Sequence, residues 1–136
     1  MKPLLLAALL LPAVAHGADL GAIRDAICKW ETRGERNPDK APGAHGEIGR
    51  CQIKPGTARE AGFRGDLKDL WEPAINRAWA LELLRQCRTK YGPRSEARLV
   101  WCYHKGPRAR WQRKWRAGHY VNGVLRLYRL AMIGGR

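Results

Sequence analysis

The sequence predicts a mainly α-helical fold with a short irregular or β-like loop after the first helix. Apolar residues recur every three to four positions in several separate stretches, while the strict alternation expected of strands is nearly absent. The 136 residues leave room for one hydrophobic core, with 45% apolar and 28% charged residues. That composition is too apolar for a solvated, disordered chain.

Residues 1 to 17 read as a cleaved secretory signal. Met1-Lys2 precedes the apolar run Pro3 to Ala15, and small residues allow cleavage after Ala15 or after Gly17. The run is shorter than the roughly 20 residues that span a bilayer. The expected mature chain is therefore a single domain over 18–136, exported to a periplasm or secreted. In such an oxidising compartment Cys28, Cys51, Cys87 and Cys102 point to two disulfides. Three pairings are possible and the spacing does not rank them. No CxxC pair or close His pair offers metal-ligand spacing, so neither metal nor cofactor is expected.

Leu20, Ile23, Ile27 and Trp30 define the first helix, from an Asp19 N-cap to about Arg33, with Gly34 as its stop. Residues 34 to 54 are rich in Gly, Pro, Asn and Asp, which predicts an exposed loop with room for a short strand near Cys51 to Ile53. Pro55 opens a short helix in which Thr57 and Glu60 have capping-box spacing and Gly62 is the stop. Pro73 suits the first position of a longer helix whose stripe is Ile75, Trp79, Leu83, Leu84 and Cys87, broken by Tyr91-Gly92-Pro93. Trp71 and Trp79 read as core. Ser95 can cap a helix through Leu99, Val100, Cys102 and Tyr103, closed by Gly106-Pro107. Trp111 and Trp115 lie one turn apart on a further piece, and Val121, Val124, Leu125 and Tyr128 mark a last amphipathic helix from about Tyr120 to Ala131.

Glu31 stands out chemically, because Ile23, Ile27 and Glu31 follow at i, i+4 and i+8 and share the buried face of the first helix. A poorly solvated carboxyl keeps its proton towards neutral pH, as a general acid must. By periodicity alone, a partly exposed Glu paired with Arg33 or Arg36 is the commoner arrangement. Its neighbours tip the reading. Trp30-Glu31-Thr32-Arg33 leads to Asn37-Pro38; the loop then runs Gly46-Glu-Ile-Gly49-Arg-Cys-Gln52-Ile-Lys-Pro55-Gly-Thr57-Ala58. Trp101-Cys-Tyr103-His-Lys-Gly106-Pro107 and His119-Tyr120-Val121 follow in order.

This ordered set resembles the lytic transglycosylase catalytic domain, the soluble lytic murein transglycosylase and goose-type lysozyme-like group of peptidoglycan-cleaving enzymes, from about Leu20 to Tyr128. The resemblance implies a lysozyme-like fold with Glu31 as sole acid/base, at the first position of the family's Glu-Ser pair. Thr32 stands in place of the serine. Gly49-Arg-Cys-Gln52 is similar to the family's Gly-Leu-Met-Gln turn, which implies Gln52 in the saccharide cleft. Tyr103 is similar to the tyrosine of the Tyr-Asn-Ala-Gly motif, whose hydroxyl lies near the catalytic glutamate, and Tyr120-Val121 to the late Tyr-Val that closes the cleft. The implied reaction cleaves the β-1,4 bond between N-acetylmuramic acid and N-acetylglucosamine and leaves a 1,6-anhydro end.

A hydrolytic muramidase would need a second carboxylate about 5 to 9.5 Å from the first. Glu35, Asp39, Glu47, Asp66, Asp69 and Glu72 are candidates, though none is compelling, and a plain solvated charge is the commoner reading of each. Glu47, two residues before Gly49, stands nearest the expected cleft. The third possibility is a non-catalytic, exported, cationic envelope-binding protein. Lys and Arg number 26 against 12 Asp and Glu, a net +14, and between Ala97 and Arg136 there are ten basic residues and no acidic one. With an export signal and no nucleic-acid motif, the expected partners are peptidoglycan strands and the anionic envelope rather than nucleic acid, with the chain acting as a monomer.

Overall fold

In the computed structural model, which describes residues 17–93, 95–108, 110 and 118–135, the first helix, α1, covers Leu20–Glu31. Asp19 caps it by accepting from the Ala22 N–H at 3.0 Å. It ends two residues before the expected Arg33, because Thr32 leaves helical geometry and its hydroxyl donates to the Cys28 carbonyl at 3.0 Å. Ile23 and Ile27 are fully buried. The other helices are α2 (Pro55–Glu60), α3 (Pro73–Tyr91), α4 (Glu96–Lys105) and α5 (His119–Gly134). Two 3₁₀ turns that periodicity did not reveal, Pro38–Lys40 and Leu67–Trp71, lead into the loop and into α3.

Each proline expected to open a helix does so. Pro55 takes the first position of α2, which makes Lys54 the N-cap; Thr57 and Glu60 then fall inside the helix, and no side-chain cap forms. Pro73 opens α3, and Gly92 ends it at φ 78°, a conformation that costs glycine little. The buried face of α3 is Asn76, Ala80, Leu83, Leu84 and Cys87, so Ile75 and Trp79 sit half-buried at its margin. In α4 five consecutive residues, Leu99 to Tyr103, are buried, as befits a helix enclosed by α1, α3 and α5. Val121, Val124, Leu125 and Tyr128 face the core from α5, the stripe the sequence predicts.

No strand forms among the described residues. The expected β-like segment reduces to antiparallel bridges Pro42–Ile48 and Ile48–Ile53. Its shape comes from α3 instead. Asn76, 1% exposed, donates through Nδ2 to the carbonyls of Ile48 and Leu70 at 2.8 and 2.9 Å, and its Oδ1 accepts from the Cys51 N–H at 3.0 Å. Gly49 at φ 71° lets this amide approach, since a Cβ there would lie 2.8 Å from Asn76 Nδ2.

The cysteines pair as Cys28–Cys51 and Cys87–Cys102, tying α1 to the loop and α3 to α4. With the paired positions 23 and 15 residues apart in sequence, each bridge restricts the unfolded chain by about 3 kcal/mol. No helix among the described residues is long and apolar enough to cross a membrane. The signal segment through residue 16 and the expected piece carrying Trp111 and Trp115 lie outside the described residues.

Candidate active site

Glu31 is the last residue of α1, and the burial of Ile23 and Ile27 directs it inward. A cavity of about 180 Å³ opens beside it, walled by Glu31, Glu47, Gln52, Lys54, Tyr103 and His104 together with parts of α2 and α3. The α1 end, the bridged loop, the start of α2 and the end of α4 thus meet at one place. Burial moves the Glu31 carboxyl above the usual glutamate range, and the negative charge of Glu47 adds to this. A hydrogen bond from Tyr120 and the charges of Arg33 and Lys54 oppose it without cancelling it. The group is a carboxyl that keeps its proton to higher pH than a surface glutamate.

Both tyrosines come close to Glu31, but only the later one bonds it. Tyr120 donates its hydroxyl to Glu31 Oε1 at 2.6 Å, reaching it from α5. Tyr103 donates instead to the Cys51 carbonyl at 2.6 Å. Tyr103 is buried and lines the cavity, and the Glu31 charge raises its pKa further above that of a free phenol after burial has done so. It lies near the carboxyl without bonding it, because the Cys28–Cys51 bridge brings the loop carbonyl within its reach. Tyr120 is therefore the residue that orients Glu31. Its other neighbour is His104, whose ring stacks on it at 3.9 Å and 20°. Burial of that ring, with Lys105 and Lys54 close by, lowers the His104 pKa to about 4, so a neutral imidazole borders the cavity at neutral pH.

Gln52 lines the cavity as expected, but its Nε2 donates inward to the carbonyls of Ala41 and Gly49, both at 2.9 Å. Its φ of 49° is the left-handed conformation, rare for a side chain of this kind. The amide bonds and the neighbouring disulfide hold it there. The side chain thus shapes the loop and leaves only its carbonyl oxygen beside Gly43 and Glu47.

Of the six candidate second carboxylates, only Glu47 shares the cavity. Asp39 is fixed by Arg50 in a two-pronged pair of 2.7 and 3.0 Å on another face, and Asp66 caps the 3₁₀ turn through the Lys68 N–H at 3.0 Å. Asp69 lies within that turn, while Glu35 and Glu72 are exposed. The Glu47 carboxylate accepts from the His45 N–H at 2.8 Å. Its slight burial works against ionisation, but backbone N–H groups at Glu47 and His45, with the charges of His45 and Lys54, bring its pKa below the usual value. One cavity therefore holds a carboxyl shifted up and a carboxylate shifted down.

Lys54 and His104 line this site and Asn76 supports it from the core, although sequence alone assigns none of them a role. An Asn at a core position of a helix is the one legible sign among them, since a buried amide must find partners. No family model matches the chain, and no curated protein or solved structure matches it either.

Proposed function

We propose that the chain is a peptidoglycan lytic transglycosylase with a lysozyme-like fold, acting after export in the periplasm or outside the cell. The observation that carries the reading is Glu31 itself, a half-buried carboxyl with a raised pKa, gripped by Tyr120 and open to a cavity. The ordered motifs around Glu31, Gly49 to Gln52, Tyr103 and Tyr120 support the substrate class. Two disulfides and the leader sequence agree with an oxidising compartment.

In this reading Glu31 protonates the glycosidic oxygen, and the bond to the anomeric carbon breaks with its electron pair on the leaving sugar. The N-acetyl carbonyl of the muramoyl residue stabilises the cationic centre. Glu31, now a carboxylate, takes the proton of the sugar's own 6-hydroxyl as that oxygen attacks the anomeric carbon. Because the nucleophile is tethered, ring closure outruns capture by water. Gln52 and Tyr103 line the glycan-binding cavity, Tyr120 binds at its edge by holding Glu31, and no cofactor takes part.

Purified murein distinguishes the alternatives. Glu31→Gln is expected to abolish cleavage while leaving salt-sensitive binding to the sacculus intact, and mass spectrometry of the wild-type products is expected to find anhydro ends. Reducing ends would mean a hydrolytic muramidase. Cleavage unchanged by the substitution would remove Glu31 from its role, and binding without cleavage by the wild type would leave a cationic envelope-binding protein.

A further inference from the structure

We propose that Glu47 is a second catalytic carboxylate, which stays ionised throughout the reaction and stabilises the positive charge that develops at the anomeric carbon. The inference rests on the glycan-cleaving reading of the Glu31 cavity and adds to it a charge that the single-acid scheme does not use.

Three observations place Glu47 in that role. It faces the same cavity as Glu31, close enough for the two charges to be felt by one another. It is anchored in the loop at two points: the His45 N–H donates to its carboxylate at 2.8 Å in a solvent-exposed contact, and the Gly43 N–H donates to its main-chain carbonyl at 2.8 Å. The loop is also built around it. A Cβ at Gly43 would collide with Glu47 Oε2 and lie within 2.6 Å of Gln52 Oε1, so only glycine lets the chain pass this close to both groups. An ordinary solvated glutamate needs no such clearance.

The chemistry follows from the difference between the two carboxyls. Two titratable groups whose surroundings push them in opposite directions divide the acid and the ionised roles between them. Glu31 donates its proton to the leaving oxygen and later recovers one from the 6-hydroxyl. Glu47 exchanges no proton and forms no bond. It is strongest at the moment of greatest positive charge, which lowers the barrier instead of merely tightening substrate binding. Lys54 and His45 flank Glu47 and favour its charge. Glu31 is faced by Tyr120 from α5, Tyr103 from α4, Arg33 after α1, Lys54 before α2, and Glu47 from the loop.

The test compares wild type, Glu47→Gln and Glu47→Asp, each with its disulfides formed and its thermal unfolding recorded, on soluble murein glycan across pH. Glu47→Gln is expected to lower kcat by about 100-fold, the scale of losing one preorganised electrostatic group, with KM within about twofold. The upper limb of its pH profile should move to lower pH, because Glu31 loses the neighbouring negative charge. Glu47→Asp should recover part of kcat. An unchanged kcat, or a rise in KM alone with the pH limb in place, overturns the proposal. If wild type cleaves and Glu31→Gln does not, that failure belongs to Glu47 only; if wild type is inert on murein, the parent reading falls and this role falls with it.

Discussion

Glu31 sits where an apolar stripe ends, and its unusual titration is a matter of position. Its carboxyl is neutral in the unfolded chain only below about its ordinary pKa of 4.5, whereas folding raises that value. Proton binding therefore favours the folded state. The contribution is fully present below the unfolded pKa and is lost as pH rises through the folded one, above which an ionised Glu31 weighs against folding. Glu31→Gln stays neutral and can still accept from Tyr120. It is expected to raise stability by about 1 kcal/mol near neutral pH, with the gain vanishing below about pH 4.5. Calorimetry over that range checks this; a difference independent of pH would mean that the carboxyl is not desolvated.

Among the elements, α3 matters to the site more than its place in the chain suggests. Asn76 connects it to the carbonyls of Ile48 and Leu70 and to the N–H of Cys51, and thereby holds the turn that carries Glu47 and Gln52. Asn76→Ala would take this partner from the Cys51 N–H and the Leu70 carbonyl, while the Ile48 carbonyl keeps the Ile53 N–H. It is expected to cost about 3 kcal/mol, and to lower activity more than the loss of stability explains, because the loop would no longer hold Glu47 and Gln52. Denaturant unfolding and single-turnover cleavage of the same protein measure the two effects separately. Which tyrosine bonds Glu31 is decided at this scale too. Both lie on helices legible in the sequence, but which hydroxyl reaches Glu31 depends on the packing of α5 across the end of α1.

For the whole molecule the decisive property is a charge of +14, concentrated towards the C-terminal third. Attraction to an anionic envelope is long-range and screened, over about 8 Å at physiological ionic strength and about 3 Å at 1 M. Binding to murein sacculi should weaken steadily as salt rises, while kcat on short soluble glycans changes little, because the Glu31 cavity is small and partly closed to solvent. Co-sedimentation and product release, measured against salt, separate attraction from chemistry. Equal salt dependence of both would place the basic surface inside the reaction itself.

The helices were readable because local causes make them. Pro55, Pro73, Gly92 and Gly106 set boundaries through backbone geometry, and the stripes at Ile23-Ile27 and Val121-Val124-Leu125-Tyr128 repeat at the helical period. The same regularity exposed Glu31 as a carboxyl on an apolar face, and cysteine number together with the leader suggested two bridges. Which cysteines meet, which tyrosine grips Glu31, and which of six acids enters the cavity depend on contacts between distant segments. Periodicity carries no information about such contacts: Cys51 meets Cys28, and Glu47 shares a cavity with Glu31, where the loop lies against α1 and α3 and the buried amide of Asn76 holds it.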